Sequence, residues 1–139
     1  MKTLVRLLVL LALVACTKSY LHAETAQAEG VIVQPLQVWV GGHKLWVRVN
    51  VANEGSEAIL VDRDRVVARL PSGQTVGRAV GKTSLHNAYV IPGHTSHLVY
   101  VEFEEAGFDW DTVPGATIDF TPAIMRGNDH IAIRMPVAL

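Results

Sequence analysis

His94-Thr95-Ser96-His97, directly after Pro92-Gly93, is the segment of this sequence with the strongest hint of metal ligation among its six His residues. Residues three apart on a strand point to opposite faces, so the two imidazoles chelate together only if His94 lies in the turn. Zinc or copper would need a further ligand, for which His86 or His43 is available. The plainer reading is a set of exposed polar His at loops and strand ends. Glu102, Glu104, Glu105, Asp109 and Asp111 make an acidic stretch around Gly107, without the spacing of an EF-hand calcium loop. It reads as a solvated acidic face, with Glu102 and Glu104 on the same side of one strand. Gly77-Arg78-Ala79-Val80-Gly81-Lys82-Thr83 echoes a phosphate-binding loop, but Val76 stands where the first glycine is required. No G-x-S-x-G or comparable nucleophile context joins the available Ser, His and Asp. The reading is of a protein that is not an enzyme.

Three Trp residues are the other side chains of interest. Trp46 shares a strand face with Lys44 and Arg48, opposite the apolar stripe Leu45, Val47, Val49 and Val51. An outward Trp beside cations has the composition of a binding hot spot, so Trp46 and Arg48 are the candidate partner-binding residues. Trp39, and Trp110 between two Asp residues in a loop, are less informative. With 12 Lys+Arg against 13 Asp+Glu and no basic cluster, a nucleic-acid partner is excluded.

The chain opens with Met1-Lys2-Thr3-Leu4-Val5-Arg6, followed by an uninterrupted apolar run from Leu7 to Ala15. That is the layout of a secretory signal, and the run is far short of the roughly 20 apolar residues of a membrane-spanning helix. The lone Cys, Cys16, ends it, which excludes an internal disulfide framework and a four-Cys zinc site. Leu13-Val14-Ala15-Cys16 resembles the lipobox of bacterial lipoproteins. The resemblance covers only this segment and implies cleavage between Ala15 and Cys16, with a lipid thioether on the Cys16 sulfur and acylation of the new amine. Thr17 rather than Asp after the Cys implies, by likeness to enterobacterial lipoproteins, sorting to the outer membrane. An ordinary signal-peptidase cut after Ala26-Gln27-Ala28 is the competing reading, set far from the apolar run. Loss of residues 1–15 removes Lys2 and Arg6 and no acidic residue, so the mature chain is mildly acidic.

Behind the signal (1–15), residues 16–30 read as a lipidated Cys and a flexible polar linker, with at most a short helix around Ala23 to Ala28. A flexible segment of this length spans on the order of 20 Å, enough to lift a small domain off the head groups. From Val31 to Leu139 the period is two: Leu45 to Val51, Val66 to Leu70, Val99 to Phe103, Ile118 to Phe120 and Ile131 to Val137 each alternate apolar with other residues. Alternation assigns Asp119 and Thr121 to the outward side. Asn53-Glu54-Gly55-Ser56, Pro71-Ser72-Gly73, Pro92-Gly93, Pro114-Gly115 and Gly127-Asn128-Asp129 supply turns, the second of them a hairpin tip. The expectation is all-β: a single antiparallel β-sandwich of about seven or more strands. The order V-R-V-N-V-A-N-E-G, R-L-P-S-G-Q and I-P-G-H-T-S-H-L-V-Y-V-E-F is similar to the telokin-like, immunoglobulin-like domains of bacterial lipoproteins. That resemblance implies an immunoglobulin-like fold and carries over no catalytic residue.

The functional expectation is a lipid-anchored protein of the cell envelope, in the outer membrane, acting as a non-catalytic binding or assembly module. Its partners are the membrane, through the lipid, and an envelope protein; the only cofactor-like group is the lipid on Cys16. The alternative is a periplasmic zinc- or copper-binding protein using His94, His97 and His86.

Overall fold

The computed structural model of the chain describes residues 19–79 and 88–138. They form fourteen strands and two single-turn 3-10 helices, Arg63–Arg65 and Trp110–Thr112. All pairings are antiparallel, in three sheets. The first sheet has the order β1 (Ser19–Tyr20), β4 (Val31–Gly41), β5 (Lys44–Asn53), β10 (Thr95–Glu104), with β3 (Ala26–Ala28) also paired to β4. The second runs β2 (His22–Ala23), β14 (Arg134–Ala138), β11 (Gly115–Asp119), β7 (Val67–Arg69), β8 (Thr75–Gly77). The third runs β13 (Asp129–His130), β12 (Ile124–Arg126), β6 (Ile59–Asp62), β9 (Ala88–Ile91). This is the all-β antiparallel sandwich that the alternation predicts.

One apolar core joins the sheets. From the first come Val47, Val49, Val101 and Phe103, and from the other two Val61, Ile91, Ala68, Ile118 and Met135, all buried. Removing such side chains from water is the main stabilising term, at about 25 cal/mol per Å² of apolar surface. The sandwich is sewn along one side by a bridge between Arg78 and Phe103 and by the Ala79 amide donating to the Glu102 carbonyl at 2.7 Å. The hairpin expected at Pro71-Ser72-Gly73 is there: Val67 faces Gly77, Arg69 faces Thr75, and Gly73 has φ +89. In β4 a bulge between Pro35 and Gln37 shifts the buried stripe from Val31 and Val33 to Val38 and Val40. Proline lacks a ladder donor, which suits it to such a break.

Two expectations need correction. The linker predicted over residues 16–30 holds three short strands between Ser19 and Ala28, and the helix around Ala23 to Ala28 is replaced by β2 and β3. Ser19 and Tyr20 face Val40 and Trp39, Ala23 faces Val137, and Ala26 and Ala28 face Val33 and Val31. The physical reason lies in the small residues: Ala23, Ala26 and Ala28, with Leu21, fit partly buried against the core edge. Their backbone amides meanwhile find ladder partners that a free tether would leave to water. The turn into β4 puts Glu29 and Gly30 at φ +48 and +76, and the Arg126 guanidinium donates to the Glu29 carbonyl at 2.8 Å. Asp119, the second correction, is only 1% exposed instead of outward to water. It accepts from Arg69 Nε at 2.8 Å and from the Thr121 amide at 3.0 Å, and lies 3.5 Å from Arg134 Nε.

Candidate interaction face

The outer side of the first sheet is set by three long strands in register. Trp39 on β4 lies opposite Trp46 on β5, which lies opposite Glu102 on β10. One row further along stand Gln37, Arg48 and Tyr100, and one row back Gly41, Lys44 and Glu104. Val38, Val40, Leu45, Val47, Val99 and Val101 between them are buried, so this polar and aromatic set is what the sheet presents outward. The Trp39 and Trp46 rings stack at 5.6 Å with 16° between planes, and Tyr100 leans on Trp39 at 6.2 Å. Cross-strand aromatic pairs of this kind stabilise a sheet by roughly 0.2–1 kcal/mol. Both indoles are half-buried, Arg48 is exposed, and Tyr100 is 39% exposed.

Charges frame this aromatic corner. Lys44 Nζ lies 3.0 Å from Glu102 and 3.6 Å from Glu104. The hydrogen bond to Glu102, then the charges of Glu102 and Glu104, hold the Lys44 ammonium above its ordinary pKa. Partial burial, followed by the Glu102 charge, pushes the Tyr100 phenol upward. Trp46 and Arg48 thus occupy the outward face assigned to them, and the structure adds Trp39 and Tyr100 as neighbours. Trp39 was less legible because the β4 bulge changes which parity faces out. The one available signal was Pro35 inside an otherwise continuous strand.

Trp110 is core: fully buried in the turn after β10 and edge-on to Phe108 at 4.9 Å. Asp109 and Asp111 around it serve that turn, the Asp109 carboxylate accepting from the Asp111 amide at 2.9 Å. Elsewhere in the acidic stretch, Glu102 and Glu104 neutralise Lys44, and Glu105 accepts from Gln74 at 3.2 Å.

His94 does lie in the turn before β10, at φ +59. His97 stacks on Tyr89 at 4.4 Å, with its Nδ1 2.6 Å from the Leu98 carbonyl oxygen. His43 cannot join them. It sits at the tip between β4 and β5, its Nδ1 2.7 Å from the Phe108 carbonyl oxygen. Register puts Lys44 beside Glu104 and Asn53 beside Thr95, so His43 and His94 are a strand length apart, on the order of 30 Å. His86 lies outside the described residues, as do Ala15 and Cys16. Among the described residues no three His, Cys, Asp or Glu side chains gather as a metal set. Of the phosphate-loop echo, Gly77 closes β8 and the Arg78 guanidinium pairs with Asp64; Gly81, Lys82 and Thr83 lie outside the described residues. Burial, then the neighbouring Arg63 charge, draws the Arg78 pKa downward.

No protein-family model matches the chain, and no curated protein does. Among solved structures it is similar to the YjhA protein from Bacillus subtilis, with a TM-score of 0.55 and 14% identity over 71% of this chain and 78% of that one. A second match, an X-ray structure of a Northeast Structural Genomics Consortium target, has a TM-score of 0.43 at 13% identity, covering 86% of both chains. At such identity the likeness to YjhA is one of fold.

Proposed function

We propose that this is a lipid-anchored bacterial envelope protein whose telokin-like, immunoglobulin-like sandwich serves as a non-catalytic binding or assembly module. Cys16 carries the lipid after cleavage behind Ala15, and the outer membrane is its destination. The observation that carries the binding role is the stacked Trp39–Trp46 pair beside exposed Arg48 and Tyr100 on the outer side of the first sheet. Trp, Tyr and Arg are the residues that dominate binding energy where surfaces meet, because they combine large apolar area with polar ends. These four side chains face outward and leave the core complete without them.

The test pairs two variants of the lipidated protein. Cys16→Ala should leave uncleaved precursor or release the protein from membranes. Trp46→Ala with Arg48→Ala should keep the parent's melting temperature to within a few degrees yet lose a protein that cross-links to the parent in envelopes. A variant that cross-links as well as the parent places the binding role elsewhere.

A further inference from the structure

The strands formed by residues 19–28 leave almost no tether between Cys16 and the sandwich. We infer that the Trp39–Trp46 corner of the first sheet rests on the head-group region of zwitterionic lipid in the membrane that anchors the chain. The inference depends on lipidation of Cys16; it gives the two indoles, in the row nearer the anchored end, to the bilayer and leaves Arg48 and Tyr100, one row further from that end, to the protein partner.

The argument is one of reach and direction. Only Thr17 and Lys18 separate Cys16 from Ser19, and three residues span at most about 11 Å. Ser19 and Tyr20 are paired antiparallel to Val40 and Trp39, and the Leu21 amide donates to the Val38 carbonyl at 2.9 Å. β4 runs into the Gly42-His43 tip, so β1, running the other way, enters the sheet from that end. Strands in a sheet lie about 4.8 Å apart, which sets the Trp39 and Trp46 backbones about 5 and 10 Å from β1. A lipid on Cys16 therefore holds the bilayer surface within one short reach of both indoles. A 20 Å linker would have left the domain free to tumble; a two-residue one does not.

The chemistry of the corner suits that position. Indole rings, apolar in body with one N–H donor, concentrate at membrane–water interfaces. Lys44 beside them is held by Glu102 and Glu104, and Arg48 stands one row on, so cations and carboxylates balance on this face, while Glu105 accepts from Gln74. With no net positive charge to draw anionic head groups, the corner suits zwitterionic lipid, which is the occupant.

The experiment uses the full chain expressed with its signal, purified in lipidated form and placed in phosphatidylcholine vesicles with and without brominated acyl chains. Two of the three Trp residues belong to the corner, and Trp110 is buried as an internal reference. Bromine quenching of Trp emission should be stronger in the parent than in Trp39→Phe/Trp46→Phe by about a factor of two or more. Phe preserves the ring contact, so the double variant should melt close to the parent and stay membrane-bound. Equal quenching in both, on protein whose intact mass carries the lipid, overturns the docking and leaves the anchor standing. A mass without lipid overturns the anchor, and with it the premise of the docking.

Discussion

Asp119 follows inward-facing Ile118 on β11 and by alternation should meet water, yet Arg69 and Arg134 close over it. Burial alone would raise its pKa; the Arg69 hydrogen bond, the Thr121 hydroxyl and amide, and the Arg134 charge outweigh that and leave it lowered. A carboxyl with a depressed folded pKa favours folding above its unfolded value, and that contribution disappears as pH falls through the folded one. The melting temperature should therefore drop as pH falls below about 4, and Asp119→Asn should flatten this part of the profile. At neutral pH the same substitution should cost roughly 1.5–3 kcal/mol in urea unfolding, the range for hydrogen bonds to charged groups. Gly93 is the other residue whose role is set by contact. A Cβ there would sit 2.4 Å from the Ser56 carbonyl oxygen, at the point where the His94 amide donates to Gly55 at 3.1 Å. Gly93→Ala should lower stability by about 1–3 kcal/mol, the usual cost of overpacking. Neither effect is visible in local sequence. Asp119 reads as an ordinary outward residue because the arginines that cover it stand 50 positions before it and on the adjoining β14. Asn53 reads as a turn former, and is one, but its buried amide also donates to the Glu57 and Ile91 carbonyls at 2.8 and 3.1 Å.

At the level of elements, strands with one buried face were legible wherever alternation ran for several residues, as in β5 and β10; of the run Ile131 to Val137 the whole alternates in burial, but only Arg134 onward is strand, in β14. The turns at Pro71-Ser72-Gly73, Pro92-Gly93 and Gly127-Asn128 were legible for the same local reason, whereas at Pro114-Gly115 the glycine already opens β11. The N-terminal strands were not: Leu21 to Ala28 has small residues, no apolar period and good linker composition. What makes them strands is the open edge of β4, the next strand in sequence, and that of β14, supplied from the far end of the chain. A protein beginning at Val31 should therefore be less stable than one beginning at Ser19. Amide hydrogen exchange should locate the difference in the β4 amides that β3 otherwise pairs. Identical protection in the two chains would return residues 19–30 to the status of tether.

For the molecule as a whole, the sandwich with its outward aromatic corner and the lipobox segment describe one arrangement only if the anchor lies at Cys16. A cut after Ala28 would remove β1, β2 and β3 and detach the corner from any lipid. The measurement that decides is the intact mass and N-terminal peptide of protein extracted from envelopes with detergent. The account predicts a chain starting at Cys16 and carrying diacylglyceryl and acyl groups, and Cys16→Ala abolishing both. A mature chain with an unmodified N-terminus, at Glu29 or elsewhere, would contradict it.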